Sequence, residues 1–222
     1  MNNTYEVQME ISGNTAIWTR PDTGDCPVSY PAPTYSAVKG IFESILWGPA
    51  VMIVPTKVEI CAPVQCHNYQ TNYGGPLRKA RVIKGGGGFQ LLATVLVDAC
   101  YRIYAEVAPN PVKKKLPEKA RKWDGKTNSP GHAYRGIFYR RLKRGQCFTY
   151  PFLGWKEFGP DYFGEFREST KVQTDINMSI ASMLREVFSE GYNSNCAFTY
   201  DQHVQIKNGV LIFPKKGDQY AE

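Results

Sequence analysis

A chain of 222 residues with 42% apolar and 13% aromatic content can bury a substantial core, which excludes a disordered or low-complexity protein. Its charge is not spread: between Lys113 and Arg144 twelve Lys and Arg oppose only Glu118 and Asp124, a local +10 in a chain of net +7, so the remainder sums to −3. A positive field confined to one stretch is the footprint of a polyanion binder. No apolar run approaches the ~20 residues of a membrane span, and MNNTYEVQMEIS has neither the basic start nor the apolar run of a leader. Six scattered cysteines without C-x-x-C spacing read as reduced, mostly buried thiols. The expectation is a cytoplasmic chain.

In chain order, alternation of Tyr5, Val7, Met9 and Ile11 predicts a strand over Tyr5–Trp18. Four prolines make 20–33 irregular. Thr34 is placed to cap a helix whose apolar face is Tyr35, Val38, Ile41, Phe42, Ile45 and Leu46. Lys39, Glu43 and Trp47 lie towards its other face, and Gly48-Pro49 stops it. Val51–Val64 reads as a β-branched strand. Residues 66–88, polar and basic with glycines at the end, predict a long hairpin or flexible arm. Leu91–Val107 is the strongest strand signal and apolar enough to sit centrally. A helix is expected over Gly131–Arg144, with Tyr134, Ile137, Phe138 and Leu142 inward, His132, Arg135, Tyr139 and Lys143 outward, and Gly145 as its C-cap. Cys147–Phe166 reads as strand, interrupted at Gly154 and Gly159-Pro160.

That order predicts an α+β fold, a ferredoxin-like (RRM-type) βαββαβ domain over residues 1–166. Residues 167–222 are expected to form a small C-terminal antiparallel β-sheet. Within it a short helix is predicted over Met178–Phe188, and a hairpin of HVQIK and GVLIF around Asn208-Gly209.

Several chemistries fail on spacing. Gly125-Lys126-Thr127 lacks the first glycine of a phosphate-binding loop, because Ala120 stands there. Cys61, Cys66 and His67 match no zinc pattern and lack a nearby fourth ligand. Glu165, Glu168 and Asp175 show no two-metal spacing, and Cys147 reads as core. The sequence therefore calls for no metal and no cofactor. His203 reads as structural or exposed, and His67 opens the arm. His132 differs: it opens the basic helix on the face of Arg135 and Lys143, beside Tyr134. Histidine, tyrosine and lysine are the residue types that cleave RNA without metal. One group takes the 2′-OH proton, one protonates the leaving 5′-oxygen, and a cation stabilises the phosphorane charge.

Two blocks, SYPAPTYSAVKGIFESILWGP (Ser29–Pro49) and FYRRLKRGQCFTYPFLGWKEF (Phe138–Phe158), resemble signature blocks of the CRISPR-associated "Cas five" family, in its type I-C (Dvulg) branch. The resemblance spans most of residues 1–160. It implies a ferredoxin-like domain with a hairpin thumb and a small C-terminal sheet. It also implies a metal-independent endoribonuclease that cuts the repeat hairpin of precursor CRISPR RNA and leaves a 2′,3′-cyclic phosphate. Such a protein then stays on the 5′ handle of mature CRISPR RNA, with the backbone and large subunits of the interference complex. Other branches only bind the handle.

The family's Tyr or His position falls on Leu46, and its Lys-His pair on Ala133 and Tyr134, with His132 two residues from the expected histidine. The expected catalytic residues are His132 and Tyr134 for proton transfer, with Lys126 or Arg135 on the scissile phosphate. RNA contacts are expected from Lys113, Lys114, Lys115, Arg140, Arg141, Lys143 and Arg144, and from Arg78, Lys79, Arg81 and Lys84 of the arm. Trp47 is placed to stack a base. The alternatives are a non-catalytic handle-binding and assembly subunit and, from the basic block alone, a protein with affinity for duplex DNA.

If the block works through phosphates, neutralising Lys113, Lys114 and Lys115 together weakens all RNAs about equally, since phosphate contacts carry no base information. In a salt titration the slope of log affinity against log salt falls by roughly 0.7–0.9 for each phosphate that is no longer neutralised. An unchanged affinity and slope would mark the block as a solvated tail.

Overall fold

The computed structural model of the protein describes residues 5–73, 84–85, 89–110, 118, 122, 129–188 and 197–215. Its longest element is the apolar segment expected to be central, now 21 residues, Phe89–Pro109, designated β4. β1 (Tyr5–Ala16) runs antiparallel along one edge of β4, from Tyr5 opposite Val107 to Ala16 opposite Leu96. The other edge is shared. β2 (Val51–Ile60) pairs with its C-terminal half and β3 (Gln65–Tyr73) with its N-terminal half, from Gln65 opposite Val97 to Tyr73 opposite Phe89. The polar arm thus has an ordered hairpin base, while residues 74–83 and 86–88 lie outside the described residues.

With β5 (Tyr162–Gly164), β6 (Met178–Glu186), β7 (Thr199–Lys207) and β8 (Val210–Ile212), the sheet runs β5-β1-β4-β2-β8-β7-β6, every strand pair antiparallel. Among the described residues two helices join it in one core, α1 (Tyr35–Ile45) and α2 (Pro130–Lys143). This is a mixed fold of helices and antiparallel strands, as the element order predicts.

Alternation sorts the sheet into two faces. Val7, Met9, Ile11, Tyr101, Ile103, Ala105 and Val107 are buried in the core with the helices. On β2 a one-residue register shift between Pro55 and Lys57 lets Val51 and Ile53 before it, and Val58 and Ile60 after it, stay buried. α1 buries Tyr35, Val38, Ile41, Phe42 and Ile45, the predicted stripe, and the Thr34 hydroxyl accepts from the Ala37 N–H at 3.2 Å. α2 buries Tyr134, Phe138 and Leu142, and Phe138 meets Phe42 with ring centroids 5.6 Å apart.

Four expectations are corrected. Met178–Glu186 is a strand, not a helix: its helix-forming residues pair with β7, and tertiary pairing overrides propensity. Cys147–Phe166 contributes only Tyr162–Gly164 as strand; residues 145–161 are an irregular segment held by its aromatics, with Trp155 stacked on Phe158 at 5.6 Å and Tyr69 of β3 edge-on to Phe158 at 5.3 Å. The strand at Val51 stops at Ile60 rather than Val64. Of the five cysteines described, all free thiols, only Cys61 is buried, and Cys26 and Cys66 are exposed. The hairpin at Asn208-Gly209 is as expected: both residues have positive φ, 50° and 74°, the turn that matches strand twist.

The face away from the helices carries one buried acid. Glu10 of β1 is fully buried and accepts from Arg167 Nε, the Arg167 N–H and the Thr170 hydroxyl, at 2.5, 3.0 and 2.8 Å. Arg102 of β4 lies 3.5 Å away and donates to the carbonyls of Arg167 and Thr170. One carboxylate therefore fastens the segment that leads into the C-terminal strands. Burial alone pushes its pKa up, but the hydrogen bonds from Arg167 and Thr170, with the Arg167 charge, outweigh that and hold it below the ordinary 4.5.

A folded pKa below the unfolded one gives stability that is complete above the unfolded value and lost as pH falls through the folded one. Glu10→Gln should therefore cost about 3 kcal/mol near neutral pH, since it leaves guanidinium groups facing no charge. In denaturant titrations at several pH values the variant's stability should fall less steeply than wild type below pH 4.5. Parallel acid limbs would exclude this role.

Candidate functional site

A helix end leaves backbone carbonyls that need donors. α1 has no cation in its last turn, and its cap residue, Leu46, is extended. The donors come from a segment remote in sequence, between Tyr134 and Thr149. Ser44 O accepts from the N–H groups of Phe148 and Thr149 at 2.8 and 3.0 Å, Ile45 O from Arg141 Nη1 at 2.9 Å, and Leu46 O from the Tyr134 hydroxyl at 2.6 Å. This junction brings the turn after α1 against the start of α2. Between them is a small apolar cleft of about 50 Å³, walled by Leu46, Trp47, Pro130, Ala133, Tyr134 and Ile137.

The positions that the resemblance pairs, Leu46 with Ala133 and Tyr134, therefore meet in space. Tyr134 is 5% exposed, and burial, then the Glu43 charge, push its pKa up, so it remains a hydroxyl donor. His132 is exposed, with its ring edge-on to Tyr5 at 6.0 Å between centroids. Tyr5 also bonds Ser129 through its hydroxyl at 3.1 Å, and its ring lies so near Gly131 that a Cβ there would come within 2.6 Å of it. Tyr5 thus fixes the first turn of α2. The sequence flagged it only as a strand residue.

Among the expected RNA contacts, Arg140, Lys143 and Arg144 are exposed and have no ion-pair partner among the described residues. Arg135 is exposed, with its guanidinium 5.9 Å from the centre of the Tyr139 ring, and the Tyr139 hydroxyl accepts from the Gln8 N–H. Arg141 is half-buried and tied to Ile45. Trp47 is 55% exposed, and Lys84 is exposed. Lys126, Lys113, Lys114, Lys115, Arg78, Lys79 and Arg81 lie outside the described residues.

Two exposed aromatics that sequence reasoning passed over, Phe148 at 74% and Tyr150 at 56%, follow the cationic end of α2. Glu43 was also missed: half-buried and 4.0 Å from Lys39, it has a pKa raised by burial despite that lysine. The outer sheet face carries unpaired acids. Glu6 and Glu106 stand directly opposite each other with no cation partner among the described residues, near the Lys57–Glu59 pair. Among the described residues no group of three His, Cys, Asp or Glu is placed to hold a metal.

The fold falls in a class seen in solved structures. A crystal structure of a CRISPR-associated protein superposes with a TM-score of 0.70, at 19% identity, covering 99% of this chain and 98% of that one. SMU1763c from Streptococcus mutans, functionally uncharacterized, gives 0.69 at 17% identity over the same shares. Sequence narrows the class, because residues 7–163 match the CRISPR-associated protein (Cas_Cas5) family in its Cas5d form. The chain belongs to the Cas5 family. It is 26% identical over 229 residues to the CRISPR pre-crRNA endoribonuclease Cas5d of Mannheimia succiniciproducens, covering 94% of each chain. To the protein of that name from Thermus thermophilus it is 28% identical over 158 residues, 71% of this chain and 62% of that one.

Tyr134→Phe keeps the packing and removes only the donor to Leu46 O. Loss of a buried hydrogen bond should cost about 1–2 kcal/mol in denaturant unfolding. A wild-type midpoint would mean that the junction does not depend on this bond.

Proposed function

We propose that the protein is a metal-independent endoribonuclease that cuts the repeat hairpin of precursor CRISPR RNA by 2′-OH attack, leaving a 2′,3′-cyclic phosphate. After the cut it stays on the 5′ handle as a cytoplasmic subunit of the type I-C interference complex, beside its backbone and large subunits. The observation that carries this reading is the cleft where the end of α1 meets the first turn of α2, with His132 on that turn and the cations of α2 beyond it, in a chain of the Cas5 family. The names of the Cas5d relatives support the substrate. The order β5-β1-β4-β2, with α1 linking β1 to β2 and α2 between β4 and β5, supports a ferredoxin-like reading of residues 1–166. The β3–β4 hairpin is then its thumb, and 167–222 the appended β domain. Among the described residues no helix is long and apolar enough to cross a membrane.

In this reading His132 takes the 2′-OH proton, the 2′-oxygen attacks phosphorus, and the 5′-oxygen departs in line on the opposite side, taking its proton from water. Arg135, with Lys126 from outside the described residues, neutralises the phosphorane. Tyr134, assigned proton transfer from the sequence, is given a positioning role instead, because its hydroxyl serves Leu46 O. The second reading, a handle-binding subunit that does not cut, is favoured by one observation: the Leu46 position, where the family carries Tyr or His, presents an apolar side chain to the cleft.

The two readings separate when purified protein meets repeat RNA in EDTA, with and without a 2′-deoxy nucleotide at the cut site. Cleavage should persist in EDTA and stop on the deoxy substrate. His132→Ala should slow single-turnover cleavage by roughly 10²–10⁴-fold with binding little changed. Tight binding without any cut would establish the handle-binding subunit.

A further inference from the structure

Two thiols lie below the arm, apart from the cleft and unused by its chemistry. Cys61 follows directly on β2, and its N–H donates to Cys100 O on β4 at 2.8 Å, one step beyond the Ile60–Tyr101 pair. The two cysteines are therefore opposite each other on antiparallel chains, and both thiols are free. Directly opposed, hydrogen-bonded residues have Cα atoms about 5.5 Å apart, inside the window of roughly 4.4–6.8 Å that a disulfide spans. Closing a bond then needs the Cβ atoms, about 5.5 Å apart in a hydrogen-bonded pair, to draw in to roughly 3.5–4.5 Å, a small local shift that the end of β2 at Ile60 leaves Cys61 free to make.

The surroundings of the two sulfurs differ. Cys100 is half-buried; its Sγ accepts from Arg167 Nη2 at 3.8 Å and its S–H donates to Glu10 Oε1 at 4.0 Å. Cys61 is buried, and its thiol donates to Glu59 O at 3.6 Å. The Cys61 thiol beside Cys100 holds the Cys100 pKa below its ordinary value, aided by Arg167 and opposed by burial and Glu10. The Cys61 pKa is raised by Cys100 and by burial. Cys100, the more accessible sulfur and the one with a guanidinium 3.8 Å away, is placed as the attacking sulfur, and buried Cys61 as the resolving one.

We propose that Cys61 and Cys100 are a reversible modification site, oxidised by hydrogen peroxide to a cross-strand disulfide at the base of the β3–β4 arm. The Cys100 thiolate attacks one peroxide oxygen: an S–O bond forms, the O–O bond breaks, and the hydroxide released takes a proton as water. Sulfur is oxidised and peroxide reduced. Cys61 sulfur then attacks the Cys100 sulfenic acid, the S–S bond forms, and the hydroxyl leaves as water with the Cys61 proton. One peroxide and two thiols give one disulfide and two waters. The ring so closed contains all of β3 and the N-terminal half of β4, so the bond staples the arm where it leaves the sheet.

The test uses the full chain, treated with hydrogen peroxide, denatured, alkylated and digested. Mass spectrometry should find a Cys61–Cys100 cross-linked peptide two hydrogens lighter than its parts, reversed by dithiothreitol. With dimedone present, Cys61→Ser should accumulate an adduct at Cys100, and Cys100→Ser none at Cys61. Alanine at either position replaces serine if a buried hydroxyl impairs folding. Oxidation only of exposed Cys26 and Cys66, or an adduct appearing first on Cys61, would overturn the proposal. Because the readout is chemical, the result stands apart from whether the protein cuts RNA.

Discussion

The end of α1 is where the architecture is decided. Short helices usually finish on a glycine or on water, which keeps their last carbonyls a local matter. α1 does neither. Its donors come from Tyr134, Arg141, Phe148 and Thr149, some ninety residues or more along the chain. Three consecutive carbonyls, at Ser44, Ile45 and Leu46, thereby set where α2 begins, how it crosses α1, and where the chain returns after its last turn. Of the two sequence blocks that carry the family resemblance, the first holds all three carbonyls and the second holds three of the four donor residues, Arg141, Phe148 and Thr149, while Tyr134 lies just before it. Buried carbonyls left without donors are costly, so the blocks stand or fall together.

Charge is partitioned along the same lines. The acids of the sheet face either stand exposed, as Glu6 does, or are drawn into structural pairs, as Glu10 is by Arg167 and Arg102. Arg185 does the same at the other end, gripping Asp201 at 2.9 and 3.1 Å while its guanidinium lies 4.0 Å from the centre of the Tyr35 ring. The arginines with these structural partners sit off α2. Those left in solvent near the cleft, Arg135, Arg140 and Arg144, sit on α2 or at its end, so the field that meets a polyanion is directional.

Much of this was legible. The 3.6-residue stripe of α1 matched its buried residues from Tyr35 to Ile45, and the apolar run in β4 and the Asn208-Gly209 turn were strong local signals. The failures share one cause, that the deciding partner is remote. Met178–Glu186 looks helical by composition and becomes a strand because β7 lies beside it. Residues 145–161 look like strand by aromatic content, yet those rings pack on one another and on Tyr69 rather than along a ladder. Tyr134 was readable as part of an apolar stripe. Its hydroxyl bond was not, because the acceptor is a backbone carbonyl that no side-chain pattern encodes. Tyr5 escaped for the same reason, since its contacts with Ser129, Gly131 and His132 span the length of the fold.

Leu46 marks the difference between geometry and chemistry at this site. Its carbonyl is held by Tyr134 and its N–H donates to Phe42 O at 3.1 Å, so the backbone there is fixed whatever side chain it carries. The side chain itself only walls the cleft. A protonatable residue at 46 and a leucine at 46 are thus compatible with the same junction, and the cleft outlasts the exchange. If the chain cuts RNA, its proton-transfer group has to come from beside the cleft rather than from position 46. There the first turn of α2 is pinned by Tyr5, and an exposed imidazole stands on it. A turn fixed that firmly gives His132 a defined position even without a partner on α1, which a residue on a loose loop would not have.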